Sequence, residues 1–427
     1  MSEILPSTIF QMPKFTSLHR FLSCFTSGIL IGLQLPSLAL HLSPIKSESE
    51  VIAQNNLNHP NFLVMGGGSS PCNNEIALEK NILYFQRVLQ HFGYNPEDAG
   101  IFFANGNNGQ TTVRYLDEQK LEQYKVPTIP SLDGSATRRN FQSWLEQSQN
   151  TNKSIFFYLT GHGGYNEKDP HNNSFDLWHR QRLTVKELAT MLDRLPPQTS
   201  FVAMMAQCYS GSFANLIYQG GDPKNPIALQ TRCGFFATIK ELPSVGCTPE
   251  VNEADYRDYS SSFFAGLSGI SRTGEKVTSA DYNQDGKVSY AEAHAFAKID
   301  DKTIDRPIST SEVWLRSKAS EADIDVIFTL PFNQLLGMAT PERRYVVNSL
   351  IKILNLDPGK SFGNNRINLS QDGEIKQLQQ TYLIRLSMEL IYIGMEQKIR
   401  NSQNRENIAI LDRLINCEGG YWDRNHK

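Results

Sequence analysis

The chain has 427 residues, of which 40% are hydrophobic and 10% aromatic, so it can bury at least one large core and form two or more folding units. Its formal net charge is −3 and it contains no tract rich in Lys and Arg. This charge distribution argues against nucleic acid as a partner.

The amino terminus has the pattern of an export signal. Lys14 and Arg20 precede an uncharged apolar stretch at 21–40, which ends in small residues around Ala39. We expect residues 1–39 to be a signal peptide, and the mature protein to be secreted or otherwise exported to a periplasmic, extracellular or lytic compartment. The stretch is also long enough to span a bilayer. A retained anchor is therefore the alternative, and only then would a membrane be a partner.

Beyond the signal, short apolar runs alternate with stretches of helical periodicity. The runs are "NFLVMGGG", "AGIFFANG", "SIFFYLTGHGG", "TSFVAMMAQCYSG" and "CGFFATI", and the helical stretches include "ALEKNILYFQRVLQHFG" and "LTVKELATMLDRL". This alternation predicts an α/β fold with a mostly parallel sheet and helices on both faces. In such a fold the functional loops follow the carboxyl ends of the strands. Residues 105–152 are polar and weakly periodic, which predicts an insertion or loop excursion.

The cysteine count predicts a free thiol. Removal of the signal takes Cys24 with it and leaves five of the six cysteines. In an oxidising compartment an odd number implies at least one unpaired thiol and up to two disulfides, without fixing the pairs.

Two reactive residue types follow two of the apolar runs. His162 stands between two glycines after "SIFFYLT", and Cys208 follows "FVAMMAQ". Parallel strands end at one edge of a sheet, so the two side chains could face each other across a groove. The glycine at position 163 would let backbone N–H groups approach a reacting carbonyl closely.

The combined motifs resemble those of the legumain family of cysteine peptidases, in the wider caspase-like clan. The resemblance covers about residues 61–270 and depends on "LTGHGG", "LTVKELATMLDRLP", "AQCYSGSF", "FATIKELPSVG" and "RDYSSSFFAGL". It implies a caspase-like peptidase domain, which we assign to residues 55–330. Tyr209 departs from the family, whose animal and plant members usually have an acidic residue after the nucleophile.

The resemblance also implies a mechanism. Cys208 would attack the carbonyl of a peptide or protein substrate, and His162 would protonate the leaving amine. The backbone N–H groups of Gly163 and Cys208 would hold the oxyanion. No cofactor is required for this chemistry.

The specificity pocket is predicted from the same resemblance. Asp258 in "RDYSS" matches an acidic residue that helps to line the family's pocket, and Glu75 falls close to an Arg-His pair of the family that this chain lacks. An acidic pocket without its cation would accept Lys or Arg at least as well as Asn.

The stretch "DYNQDGKVSYAE" at 281–292 fits the twelve-position calcium loop of an EF-hand. The stretch before it is a poor helix, so we expect a single structural Ca²⁺ site, and an acidic turn without an ion is the alternative. The predicted ligands are Asp281, Asn283, Asp285, Lys287 through its carbonyl, Ser289 and Glu292.

Residues 331–427 have helical periodicity and no recognisable motif. Their apolar stripes indicate either packing against a core or, by analogy with legumain zymogens, a removable lid over the active site. The turn-rich stretch around Gly359 would then be the processing linker.

The sequence therefore predicts an exported cysteine endopeptidase. A transamidase or peptide ligase would use the same Cys/His pair, because an amine can capture the acyl-enzyme in place of water. A calcium-dependent binding protein that keeps the fold without catalysis is the third alternative.

Overall fold

The computed structural model describes residues 60–149, 153–371 and 376–424, with the side chains of 367–371 left aside. The predicted signal peptide at 1–39 lies outside these residues. Within the described residues, no helix combines the length and the apolar character needed to cross a membrane.

The strands form one large sheet and two small ones. A six-stranded sheet has the order β2-β1-β5-β9-β10-β11, in which only β11 is antiparallel to its neighbour. β3 pairs with β4, and β6, β7 and β8 form an antiparallel sheet of three strands. The bounds are β1 Asn61–Gly67, β2 Gly100–Phe103, β3 Val113–Leu116, β4 Glu122–Lys125, β5 Ile155–Gly161, β6 Gly163–Gly164, β7 Ser174–Leu177, β8 Gln181–Thr184, β9 Phe201–Ala206, β10 Arg232–Phe236 and β11 Ile308–Ser309.

Helices cover both faces of the large sheet. α1, α4 and α5 share a buried apolar cluster with one face, and α2, α3 and the helices from α6 onward share a second cluster with the other face. The bounds are α1 Ile76–His91, α2 Arg138–Ser148, α3 Val185–Leu192, α4 Tyr259–Ser268, α5 Tyr290–Asp300, α6 Thr310–Lys318, α7 Glu321–Thr329, α8 Phe332–Met338, α9 Pro341–Ile353, α10 Phe362–Gln371, α11 Gln377–Arg400 and α12 Arg405–Glu418. The predicted α/β fold with a mostly parallel sheet and a helical carboxyl-terminal region is confirmed.

Strand alternation explains the two clusters. In β1, Phe62 and Val64 belong to one cluster, whereas Leu63 and Met65 belong to the other. Successive side chains of a strand point to opposite faces, and a strand covered on both faces is apolar throughout. The five apolar runs in the sequence therefore correspond to the five parallel strands of the large sheet.

The insertion at 105–152 has more regular structure than the sequence suggested. It contains the β3–β4 hairpin and helix α2, which begins after the N-cap Thr137, whose side chain accepts a hydrogen bond from the amide of Asn140. Phe141 and Leu145 of α2 are buried in the core. The prediction of an insertion or loop excursion did not include this helix, in which two buried apolar residues one helical turn apart anchor an otherwise polar segment.

The carboxyl-terminal helices share the core of the sheet. Leu386 and Leu390 of α11 belong to the same buried cluster as Phe201 and Ala203 of β9. A disulfide joins Cys233 of β10 to Cys417 of α12. The described helices of residues 331–427 therefore pack against the core of the sheet, which is the first of the two interpretations of their apolar stripes.

Candidate functional site

The backbone around His162 is held at the end of β5. Gly163 pairs with Phe175 in the small sheet, and the carbonyl of His162 accepts a hydrogen bond from the amide of Asp176 at 2.9 Å. The imidazole is about one quarter exposed. His162 therefore stands at the carboxyl edge of the large sheet, where solvent can reach it.

Cys208 lies at the same edge, one strand away. β5 and β9 are parallel neighbours in which Thr160 faces Ala206, so His162 and Cys208 each come two residues after a paired position. A Cβ atom added at Gly163 would fall 2.1 Å from the carbonyl oxygen of Cys208. The glycine is thus needed for the close approach of the two loops.

A tight turn follows the cysteine. Tyr209 has φ 60° and ψ 19°, in the left-handed region, and its amide donates a hydrogen bond to the carbonyl of Leu242 at 2.9 Å. A non-glycine residue in this region is uncommon and is held there by the surrounding contacts. The turn leads into the buried 3₁₀ segment Ser210–Ile217 and leaves Cys208 at the sheet edge.

The imidazole of His162 has a buried carboxylate partner. Its Nε2 atom lies 2.9 Å from Oε2 of Glu75, and Oε1 of Glu75 lies 2.7 Å from the guanidinium of Arg114. Burial alone would raise the pKa of Glu75, but the hydrogen bond and charge of His162 and the hydrogen bond of Arg114 lower it below its usual value. Glu75 is therefore an ionised anchor for the imidazole.

Cys247 is the second neighbour of His162. Burial disfavours the imidazolium, yet the contacts with Cys247 and Glu75 raise the pKa of His162 well above its usual value. The ligand-capable atoms of Glu75, His162 and Cys247 lie within 4.8 Å of one another. No sequence motif marked Cys247, although the odd cysteine count pointed to free thiols. Cys72, Cys208 and Cys247 are the free cysteines of the described residues.

The thiol of Cys208 contacts the loop that carries Cys247. The amide of Ser244 donates to Sγ of Cys208 at 3.3 Å, and the carbonyl of Ser244 lies 3.5 Å from the same sulfur. Burial raises the pKa of the Cys208 thiol, whereas the Ser244 amide and the charge of His162 act in the opposite direction. Burial therefore favours the protonated thiol, whereas a charged imidazole nearby favours the thiolate.

A buried carboxyl group positions this loop. Oδ2 of Asp305 accepts a hydrogen bond from the hydroxyl of Ser244 at 2.6 Å, and Oδ1 accepts one from the amide of Val245 at 3.2 Å. Arg385 of α11, itself buried, donates to the carbonyl of Asp305 at 2.7 Å and 2.9 Å. The carboxyl-terminal helices thus support the loop that touches both Cys208 and His162.

The two predicted pocket residues have other partners. Asp258 is the N-cap of α4, where it accepts from the amide of Ser261, and it lies 3.3 Å from the guanidinium of Arg272. The premise that Asp258 lacks a cation is therefore wrong, since Arg272 supplies one from the turn after α4. The predicted preference for Lys or Arg loses its physical basis, and Glu75 contacts His162 directly.

The predicted calcium ligands form a compact loop before α5. Gly286 has φ +83°, as the turn requires, and the described residues 269–280, which lead into the loop, contain no helix. Glu292 accepts hydrogen bonds from the amides of Tyr282, Asn283 and Ser289 at 2.9–3.1 Å. Asp281 accepts from the amides of Asp285 and Gly286, and Asp285 accepts from that of Lys287. The carboxylates of this loop therefore accept hydrogen bonds from the backbone amides of the loop itself.

No protein-family model and no curated protein sequence matches the chain. Among solved structures, the chain is similar to protein GSU0716 from Geobacter sulfurreducens, with 12% sequence identity and a TM-score of 0.34. The similarity covers 58% of this chain and 92% of that one. A likeness of this degree carries no argument about function, so the proposals below depend on the geometry of the site.

Proposed function

We propose that the protein is a cysteine endopeptidase with a caspase-like architecture, as the resemblance to legumains implies. Cys208 is its nucleophile and His162 its general acid and base. The observation that carries the proposal is the exit of both residues from adjacent parallel strands, two positions after the pair Thr160 and Ala206. Active sites of α/β proteins lie at this edge of the sheet.

The reaction divides peptide cleavage into two steps. The thiolate of Cys208 forms a bond to the carbonyl carbon, and the C–N bond breaks as His162 gives its proton to the leaving amine. In the second step His162 takes a proton from water, the new hydroxyl displaces the sulfur, and an acid leaves. The amides of Gly163 and Cys208 would stabilise the oxyanion of both intermediates.

Glu75 supplies the orientation that a His of this kind needs. Its buried carboxylate lies 2.9 Å from Nε2 of His162 and is itself fixed by Arg114. An acidic residue in this position stabilises the imidazolium that forms when Cys208 loses its proton. The arrangement corresponds to a nucleophile, a base and a third group that orients the base.

A second nucleophile is supported by one contact. The sulfur of Cys247 lies within 4.8 Å of the ligand-capable atoms of Glu75 and His162, and this contact raises the pKa of His162. Cys247 is free and exposed, so it could also be activated by the imidazole. In that case Cys208 would have a structural role beside Ser244.

The test is covalent labelling by a peptide carrying an electrophile, combined with peptide-library cleavage. Cys208→Ala is expected to abolish turnover and labelling, with Cys247→Ala retaining measurable labelling at Cys208. Cys72→Ala is the matched control for loss of an exposed thiol, and mass spectrometry identifies the labelled residue. Labelling at Cys247 that survives Cys208→Ala would transfer the nucleophile to Cys247, and no labelling of any cysteine would contradict the proposal.

Two further proposals concern the loop at 281–292 and the compartment in which the protein is located. The carboxylates of Asp281 and Glu292 accept hydrogen bonds from amides of the loop at 281–292, and this arrangement supports a structural Ca²⁺ site there. The disulfide between Cys233 and Cys417 supports an exported, oxidising location, because disulfides persist in such compartments.

A further inference from the structure

Three side chains of different chemical type converge beside the sheet edge. Glu75 comes from the residue before α1, His162 from the exit of β5, and Cys247 from the loop after β10. One carboxylate oxygen, one imidazole nitrogen and one sulfur lie within 4.8 Å of one another. This set of donors matches what Zn²⁺ takes in proteins.

We propose that Glu75, His162 and Cys247 form an inhibitory binding site for a zinc-like divalent cation. The binding stands on the three ligands alone, whereas its inhibitory effect rests on the proposed function of His162.

The spacing of the ligand atoms suits a tetrahedral ion. Metal–ligand bonds of about 2.0–2.3 Å place the donor atoms of a tetrahedral zinc site roughly 3.3–3.8 Å apart. In the protein, Nε2 of His162 and Oε2 of Glu75 are 2.9 Å apart, and all three donors fall inside 4.8 Å. Changes of about 1.5 Å or less in these separations would therefore accommodate the ion, with a fourth position left to water.

The surroundings hold the ligands in place and leave one side open. Arg114 fixes the second oxygen of Glu75 at 2.7 Å, and the sulfur of Cys247 lies 3.7 Å from the carbonyl of Gly161. Such outer contacts orient metal ligands and raise affinity. Cys247 is exposed, so an ion from solvent can reach the site.

Binding would stop the proposed reaction without touching Cys208. With Nε2 of His162 bonded to a metal, the imidazole cannot accept a second proton, so the imidazolium that the proposed reaction needs cannot form. The ion replaces the protons of the Cys247 thiol and of the imidazolium, and chelation restores them. Inhibition by the ion is therefore reversible, and it requires the sulfur ligand of Cys247.

The first experiment measures binding to the full chain of Cys208→Ala, which keeps all three ligands and cannot turn over substrate. Calorimetry with Zn²⁺ and absorption with Co²⁺ are both used, because a cobalt–thiolate charge-transfer band reports a sulfur ligand directly. We expect one ion per chain and a thiolate band. Adding Cys247→Ser should remove the band and weaken Zn²⁺ binding by more than the 10- to 100-fold typical of outer contacts.

Three variants in the same background make the result specific. Glu75→Gln should also weaken binding, which keeps the test valid if Cys247→Ser folds poorly. Cys72→Ser should leave affinity unchanged and controls for the loss of a thiol. Asp281→Ala should leave Zn²⁺ affinity unchanged and controls for binding at the loop of 281–292.

The second experiment titrates Zn²⁺ against peptide cleavage by the wild-type chain and restores activity with a chelator. An unchanged Zn²⁺ affinity after Cys247→Ser would overturn the site. If the wild-type chain shows the full cobalt–thiolate band but no peptidase activity, the result would support the site and contradict the proposed function. In a chain that keeps Cys208 but has His162 replaced, loss of the cobalt–thiolate band would support the site. Persistence of the band in that chain would overturn the site.

Discussion

The imidazole of His162 hydrogen-bonds to the carboxylate of Glu75, with 2.9 Å between Nε2 and Oε2. Only 5% of Glu75 is exposed, so the contact is protected from water. A buried carboxylate at this distance fixes the orientation of the ring and favours its charged form. Glu75 is therefore a positioning residue of the proposed site.

The first prediction is that Glu75→Gln lowers kcat by at least about 100-fold with little change in KM, because loss of the carboxylate beside a catalytic His costs up to about 10⁴-fold in serine peptidases. Glu75→Asp should recover part of the loss. Steady-state kinetics on the best peptide of a library measures both constants. A large rise in KM or a changed residue preference, with kcat preserved, would instead assign Glu75 to the substrate pocket.

The second prediction concerns Gly163. A methyl group there would lie 2.1 Å from the carbonyl oxygen of Cys208 and 3.0 Å from Cγ of Gln207. The backbone after β9 must shift, so Gly163→Ala should reduce kcat/KM by about 100-fold or more, since misplacement by 1 Å has this effect. Gly337→Ala in α8 is the matched control, because nothing lies within 4 Å of its added methyl. Equal activities of the two variants would remove Gly163 from the site.

The third prediction concerns the support that α11 gives to the site. Besides Asp305, Arg385 donates hydrogen bonds to the carbonyls of Lys298, Asp301 and Thr303 at 2.6–3.1 Å. Arg385→Ala leaves these buried carbonyls without a donor and should lower the free energy of unfolding by about 3 kcal/mol or more. Arg400→Ala, on the exposed side of the same helix, should change it by less than about 1 kcal/mol. Denaturant unfolding measures both.

Truncation near Gly359 distinguishes two roles of the carboxyl-terminal helices, support of the folded core and a removable lid over the active site. The truncated chain would lose helices α10, α11 and α12, and with them Arg385 and Cys417. We expect insoluble or inactive protein, since these helices share the core of the sheet. A soluble truncated protein that cleaves small peptides faster than the full chain would establish the lid interpretation.

The sequence predicted the mostly parallel sheet and the position of His162 and Cys208 after neighbouring strands. An apolar run followed by His162 or Cys208 is a local pattern, and local patterns predict the ends of buried strands. Helix α2 was missed because its apolar stripe is narrow. Glu75, Cys247 and Arg385 reach the site from three separate elements, and no local pattern records which distant segments meet. Arg272 beside Asp258 was missed for the same reason.

The fourth prediction is that Ca²⁺ stabilises the folded chain. An ion that binds only the folded state at 100 times its dissociation constant adds about 2.7 kcal/mol. Thermal unfolding with excess Ca²⁺ and with a chelator should differ, and Asp281→Ala or Glu292→Gln should abolish the difference. Glu275→Gln, an exposed acidic residue outside the loop, should preserve it. Identical melting temperatures of the wild type under both conditions would leave an acidic turn without an ion.

The fifth prediction is a pH dependence of stability that originates at Asp305. Burial and the nearby carboxylate of Asp301 raise the pKa of Asp305 to about 7, although Ser244, Val245 and Arg385 oppose this. The unfolded carboxyl titrates near 3.8, so the folded state binds more protons between these values. The stability contributed by the protonated group is complete below pH 3.8 and is lost as the pH rises through about 7.

Asp305→Asn tests this directly, because the amide oxygen can still accept hydrogen bonds from Ser244 and Val245 and carries no charge. At about 1.4 kcal/mol for each pKa unit, the lost stability is bounded by about 4 kcal/mol. At pH 8 the free energy of unfolding of the variant should be higher than that of the wild type. Between pH 5 and 8 it should also depend less on pH. Residual dependence is expected from Asp301, whose pKa is raised by burial to about 6. Denaturant unfolding at each pH, with exposed Asp325→Asn as the control, measures the slope. A variant whose slope equals that of the wild type would show that Asp305 is ionised throughout this range.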